Sequence, residues 1–301
     1  MNDARAGVIA MVAVCAIWGV SPLYYGLLDH VPPFEVMCHR AIWTLVLFLP
    51  VLAAQGRLGD LRALLADRAQ RAPLLVASLA ISANWFLFIF ATAIGRVTDS
   101  SLGYYIFPLA SVAAGAMFLG ERLNGARALA VALAGLAVGL LAFGLGNLPW
   151  ISLGLAITMV IYGLMKRVIK TPSAVSVAGE AVWIAPICLA WLVLFGSGGH
   201  DLATWALLAG AGPLTALPLM MFTFAATRIT MATQGFLMYL NPTLQGALAL
   251  FVLAEPMSPW HGLAFPLIWV ALAVYSADAF AAERRIRRSA ANASGSGTSV
   301  M

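Results

Sequence analysis

Two ionisable side chains lie deep within long apolar stretches: Arg40 in the stretch 34–54 and Glu180 in the stretch 174–196. A charge at the centre of a membrane helix costs at least ~2.5–3.5 kcal/mol on insertion scales, so each needs a partner or a task. Arg40 offers a planar fork of N–H donors that matches a carboxylate or another anionic group of a solute. Glu180 matches an amine, or a proton that travels with the solute. A neighbouring polar group that neutralises each charge inside the bundle serves equally well. His39 points about 100° around the helix from Arg40 and reads as structural.

Polar and aromatic residues recur in other apolar stretches. Trp18, Asn84, Trp85 and Tyr162 are candidates to line a solute path, and aromatic faces suit a flat solute or a cation. Tyr104, Tyr105 and Pro108 fall in 100–119, and Gln234, Tyr239, Asn241 and Pro242 in 232–252. A proline inside a membrane helix removes a donor and frees a carbonyl, which is tolerated where protein or a cavity re-satisfies the backbone. Pro213 and Pro218 predict two kinks, and a gate, in a further stretch. Glu121 and Glu255 each precede another helix, where a carboxylate accepts from the next helix's first amides and faces its dipole, so both read as caps.

The elements that position these residues follow from composition. With 62% hydrophobic and 10% charged residues, the 301-residue chain has too little polar surface to cover a soluble globule. Ten apolar stretches are each long enough to cross a ~30 Å hydrocarbon core: 7–28, 34–54, 73–94, 100–119, 125–143, 148–165, 174–196, 203–225, 232–252 and 261–281. With the N-terminus inside, Arg96 is the sole lysine or arginine between stretches that falls outside, so both termini are expected in the cytoplasm. This distribution makes lipid the expected partner of the basic residues, not nucleic acid. Cys15, Cys38 and Cys188 fall in apolar stretches at no metal-ligand spacing and read as small buried residues, with no metal or cofactor implied. The run 125–143 is rich in small residues, suited to close helix packing or to a homodimer. The polar end of the chain, 286–301, is expected to be a disordered tail.

The chain also repeats itself. Pro108 precedes Glu121 by thirteen residues and Pro242 precedes Glu255 by thirteen, while Pro32, Ala41 and Trp43 fall on Pro172, Ala181 and Trp183 at a constant offset of 140. Five crossings per half force the second half to lie upside down, an arrangement typical of carriers with a site at the repeat interface. The expected fold is therefore an all-α polytopic membrane protein: ten transmembrane helices as two inverted five-helix repeats, 1–145 and 146–285. The sharpest differences between the halves are Arg40 against Glu180 and Phe107 against Asn241.

Stretches such as HRAIW, NWFLFIFATA, SLGYYIFPL, LGERL, IYGLMKR, GEAVWIAP, FTFAATRI and GFLMYLNPTL, in order from Gly7 to about Arg285, resemble the RarD subfamily of the EamA family, in the drug/metabolite transporter superfamily. The resemblance implies two EamA repeats and transport of a small-molecule substrate: a metabolite, an amino acid or an amphipathic drug such as chloramphenicol. Relatives often carry Asn before the first-half proline, where Phe107 stands here. There is no Walker A, HExxH or GxSxG pattern, which leaves self-driven ATP transport and intramembrane hydrolysis unsupported. The competing class is a non-transporting membrane scaffold or sensor, which predicts no solute flux.

Overall fold

The computed structural model describes residues 2–295, and among them no strand occurs. In lipid a spanning segment must satisfy its own backbone, which long apolar helices do without partners. Among the described residues nine helices are long and apolar enough to cross a membrane: α1 (Asn2–Gly26), α2 (Pro33–Ala54), α4 (Arg68–Ala93), α5 (Val97–Leu119), α6 (Gly125–Leu145), α7 (Trp150–Val168), α8 (Ser173–Phe195), α9 (Leu202–Ala226) and α12 (Pro259–Gly295).

The stretch 232–252 departs from the expected single span. It forms α10 (Met231–Met238) and α11 (Leu240–Phe251), interrupted at Tyr239. Pro242 has no N–H to donate to the carbonyl of Met238, and its ring crowds that carbonyl. Pro108 leaves α5 continuous from Val97 to Leu119.

Two further elements differ from expectation. A short helix, α3 (Leu58–Ala66), lies between α2 and α4, and buries Leu61 and Leu64 among Val175, Val177 and Ala178 of α8. Its leucines recur at helical spacing, but the segment is too short to have registered as a span. At the other end α12 continues through 286–295, which the sequence reading assigned to a disordered tail. Alanine and arginine are strong helix formers and carry the helix on. The remainder of that tail, 296–301, lies outside the described residues.

The main packing joins the two halves of the chain. Helix α2 lies on α8 and α9, α1 on α9 and α11, α4 and α5 on α7, α5 on α11, and α6 on α12. Lipid tails are as apolar as leucine, so such contacts depend on close fit and small residues. On α6, Ala130, Ala134, Ala137 and Leu141 form one stripe against Ala264, Ile268 and Ala271 of α12, so this face is used within the chain. At Gly212 an added Cβ would lie 2.6 Å from the carbonyl carbon of Trp43, which is why α9 can approach α2 so closely.

Ion pairs mark one end of the bundle. Arg167 meets Glu121 at 3.0 Å, Arg127 meets Asp278 at 2.9 Å, and Arg228 meets Asp3 at 2.8 Å, which ties α5 to α7, α6 to α12 and α9 to α1. This is the basic end. At the opposite end Glu35, buried in the first turn of α2, accepts from Ser197 N and Oγ and pairs with His200 Nε2 at 2.7 Å, fastening α2 to the turn between α8 and α9.

Candidate functional site

A cavity of about 970 Å³ runs between the halves. It is lined by Trp18, Asn84, Trp85, Tyr104, Tyr162, Gln234, Tyr239 and Asn241, together with Arg40, Glu180, Pro108 and Pro242. It reaches Gln55, Arg122 and Arg167, which are exposed at the basic end.

Arg40 is only 8% exposed. Its Nε donates to Thr215 Oγ1 at 2.8 Å, and its guanidinium carbon lies 4.4 Å from the ring centre of Trp85 and 5.6 Å from that of Tyr25. The rings hold the plane of the fork while Thr215 occupies one donor. No acidic side chain pairs with it among the described residues.

Glu180 has the opposite circumstances. One carboxylate oxygen accepts from Lys166 Nζ and Ser176 Oγ, both at 2.8 Å, and the other accepts from the Tyr162 hydroxyl at 3.2 Å. Ser78 Oγ also donates to the Glu180 backbone carbonyl. Tyr162 and Lys166 are one turn apart on α7, and Ser176 and Glu180 are one turn apart on α8, so two helical faces meet as a four-residue cluster. Of the roles open to Glu180, the geometry is that of a neutralised internal pair, with both oxygens already bonded. Lys166 lies just past the apolar stretch 148–165, but α7 runs on to Val168 and places it in the cavity wall.

Removing one partner of such a pair strands the other charge, at ~3–5 kcal/mol when both are fully buried. Glu180 is 4% exposed and Lys166 23%, so Glu180→Gln is expected to lose less, about 2 kcal/mol. Thermal unfolding in detergent should show this drop, with a smaller one for Glu180→Gln combined with Lys166→Met. An unchanged melting temperature for the single variant would remove the pair from any account of stability.

Asn84 ties three helices together. Its amide donates to Leu155 O at 3.1 Å and Thr158 Oγ1 at 3.0 Å, and its carbonyl accepts from the Tyr104 hydroxyl at 3.1 Å. Gln245 Nε2 donates to Asn241 Oδ1 at 2.9 Å, beside the break in the ninth stretch.

Five expected residues have places or partners other than those the sequence suggests. Tyr105 does not line the cavity: its hydroxyl meets Thr243 Oγ1 at 2.6 Å and its ring packs against Phe265 and Trp269. Adjacent residues point ~100° apart on a helix, so Tyr104 and Tyr105 cannot both face inward. Pro213 and Pro218 lie within α9, which runs unbroken through both, and Leu214, Thr215 and Leu219 reach the cavity from that helix instead. Glu255 caps, but not the next helix: its oxygens accept from Val97 N at 2.6 Å, Thr98 N at 2.8 Å and Thr98 Oγ1 at 2.7 Å, at the start of α5. Glu121 is bonded to Arg167 at the cavity mouth and accepts from no helix-start amide in the described residues. His39 stays outside the cavity, edge-on to Trp205.

Residues that the sequence reading missed are Tyr25, Thr215, Lys166 and the Glu35–His200 pair. Tyr162 and Lys166 at i and i+4 gave a usable signal for the third.

A model of the EamA-like transporter family matches residues 5–143. The chain is 38% identical over 282 residues to an uncharacterized transporter, YojE, of Bacillus subtilis, covering 91% of this chain and 94% of the relative. It is 36% identical to protein RarD of Streptomyces exfoliatus, covering 95% and 93%, and 34% identical to protein RarD of Escherichia coli, covering 94% and 98%. A crystal structure at 21% identity shares the fold with a TM-score of 0.59, over 89% of this chain and 96% of that one. Identity at this level along nearly the whole length, on a multi-pass helical frame around a large cavity, makes the chain a membrane transporter of the EamA family, in its RarD subfamily.

Proposed function

We propose that the chain is a secondary carrier in the cytoplasmic membrane, with both termini in the cytoplasm, that moves a small solute outward by alternating access. The observation that carries this reading is the cavity, whose lining runs from exposed residues at the basic end to the buried Arg40 and Tyr25. Arginine and lysine favour the cytoplasmic side, so this form is open inward. At the other end the Glu35–His200 contact ties α2 to the turn between α8 and α9.

The helix pairing supports ten crossings in two inverted units, 1–145 and 146–285. Exchanging α1 with α7, α2 with α8, α4 with α9, α5 with α10–α11 and α6 with α12 turns the α1–α9 contact into α7–α4, and α1–α11 into α7–α5. The contacts α2–α8, α5–α11 and α6–α12 map onto themselves. The break between α10 and α11 borders the cavity, as discontinuous helices do at carrier sites.

The two glutamates depart from this symmetry, and the departure suits a carrier caught in one of two states. Glu255 holds the first amides of α5 at the closed end, while its equivalent, Glu121, is half exposed at the open end. In the outward-open form Glu121 takes the first amides of α10, and Glu255 releases α5.

The solutes to test are amino acids, other small metabolites and amphenicols. Purified protein should be stabilised against heat by at least one of them, and that compound should move across proteoliposomes that hold the chain. A protein that no compound stabilises, and that carries no flux, would be a scaffold or sensor instead.

A further inference from the structure

We propose that the solute is an organic anion with a flat apolar body, and that amines and zwitterions are disfavoured. This deepens the carrier reading and rests on it only in treating the bound molecule as cargo. Six cationic side chains line the cavity, Arg40, Arg57, Arg122, Arg127, Lys166 and Arg167, against the carboxylates of Glu121 and Glu180. Both carboxylates already have a cation, Arg167 for Glu121 and Lys166 for Glu180. Arg57 and Arg127 are paired with Asp60 and Asp278. Of the charges left over, Arg40 is the buried one.

A buried guanidinium without a counter-charge is costly, and an anion that reaches it recovers that cost. Thr215 holds Nε, which leaves the terminal nitrogens of the fork for a carboxylate. Trp85 and Tyr25 fix its plane, and Tyr104 and Trp18 supply aromatic surface in the same cavity. An amine finds no equivalent site. Both oxygens of Glu180 are taken, and binding there requires Lys166 to be displaced within a cavity that is already positive.

The test uses four compounds of nearly one skeleton that differ in charge: hydrocinnamate, L-phenylalanine, phenylpropylamine and phenylpropanol. Isothermal titration with the full chain in lipid nanodiscs should show hydrocinnamate binding at least tenfold more tightly than each of the other three. Arg40→Gln should abolish that preference, and Arg40→Lys should keep the sign while weakening binding. The proposal is overturned if phenylalanine or the amine binds as tightly as hydrocinnamate, if Arg40→Gln binds hydrocinnamate unchanged, or if no compound binds. Should Arg40→Gln fail to fold, the four compounds on the unsubstituted protein decide alone. Flux is measured separately: an anion that binds without crossing proteoliposomes leaves the site chemistry standing and the carrier reading fallen, whereas flux of the amine with no anion preference does the reverse.

Discussion

Glu255→Ala should both destabilise the protein and shift it toward the outward-open form. Glu255 is 8% exposed and accepts three hydrogen bonds at the start of α5. Those bonds satisfy two amides that have no partner within their own helix. Leaving a buried donor unsatisfied costs ~1–3 kcal/mol, so losing both is expected to cost about 3 kcal/mol. Glu121→Ala removes only a half-exposed pair with Arg167, worth ~0–1 kcal/mol. Its expected effect is on conformation: without the carboxylate, α10 loses the cap proposed for the outward-open form, and the protein should stay inward-open. The pair therefore predicts opposite displacements. Ser101, fully buried and hydrogen-bonded to Pro242 O, provides the probe. With the native cysteines replaced, Ser101→Cys should be labelled faster by an impermeant maleimide from outside in the Glu255 variant, and more slowly in the Glu121 variant. Equal labelling in both would remove the exchange of caps from the mechanism.

How much of this was legible follows from the range over which each signal acts. Membrane-crossing helices are read from local hydropathy, and nine of the ten expected stretches correspond to single helices because nothing distant is needed to form them. Arg40 and Glu180 were visible for the same reason: an ionisable residue in an apolar stretch stands out by itself. What each charge does was not visible. The partner of Glu180 is on a different helix, in a lysine just beyond the end of an apolar stretch. The partner of Glu255 is α5, 157 residues away, whereas a sequence reading turns naturally to the next helix. Tyr104 and Tyr105 look alike in sequence, and helix rotation alone decides that the first lines the cavity and the second packs on α12.

Pro242→Ala should raise stability and slow transport at least tenfold. An interior proline costs a helix ~3 kcal/mol relative to alanine. Alanine restores an N–H at 242 that reaches the carbonyl of Met238, so α10 and α11 can join through Tyr239. Part of the gain offsets contacts built around the present break, where Thr243 N and Oγ1 both donate to Tyr239 O and Ser101 Oγ donates to Pro242 O. A net gain of about 1 kcal/mol is therefore expected. The loss of flux has a separate cause. If the second half is to close the basic end, α10 must tilt to bring its first amides to Glu121, while α11 stays packed on α5. A hinge at Tyr239 allows that, and a continuous helix moves only as one body. Pro108→Ala is the control, because α5 is already continuous and its start is held by Glu255 in this form. It should change flux less than Pro242→Ala does. Proteoliposome flux and thermal unfolding on the same preparations separate these effects, and a Pro242→Ala protein that is more stable but transports normally would show that the break is not the hinge.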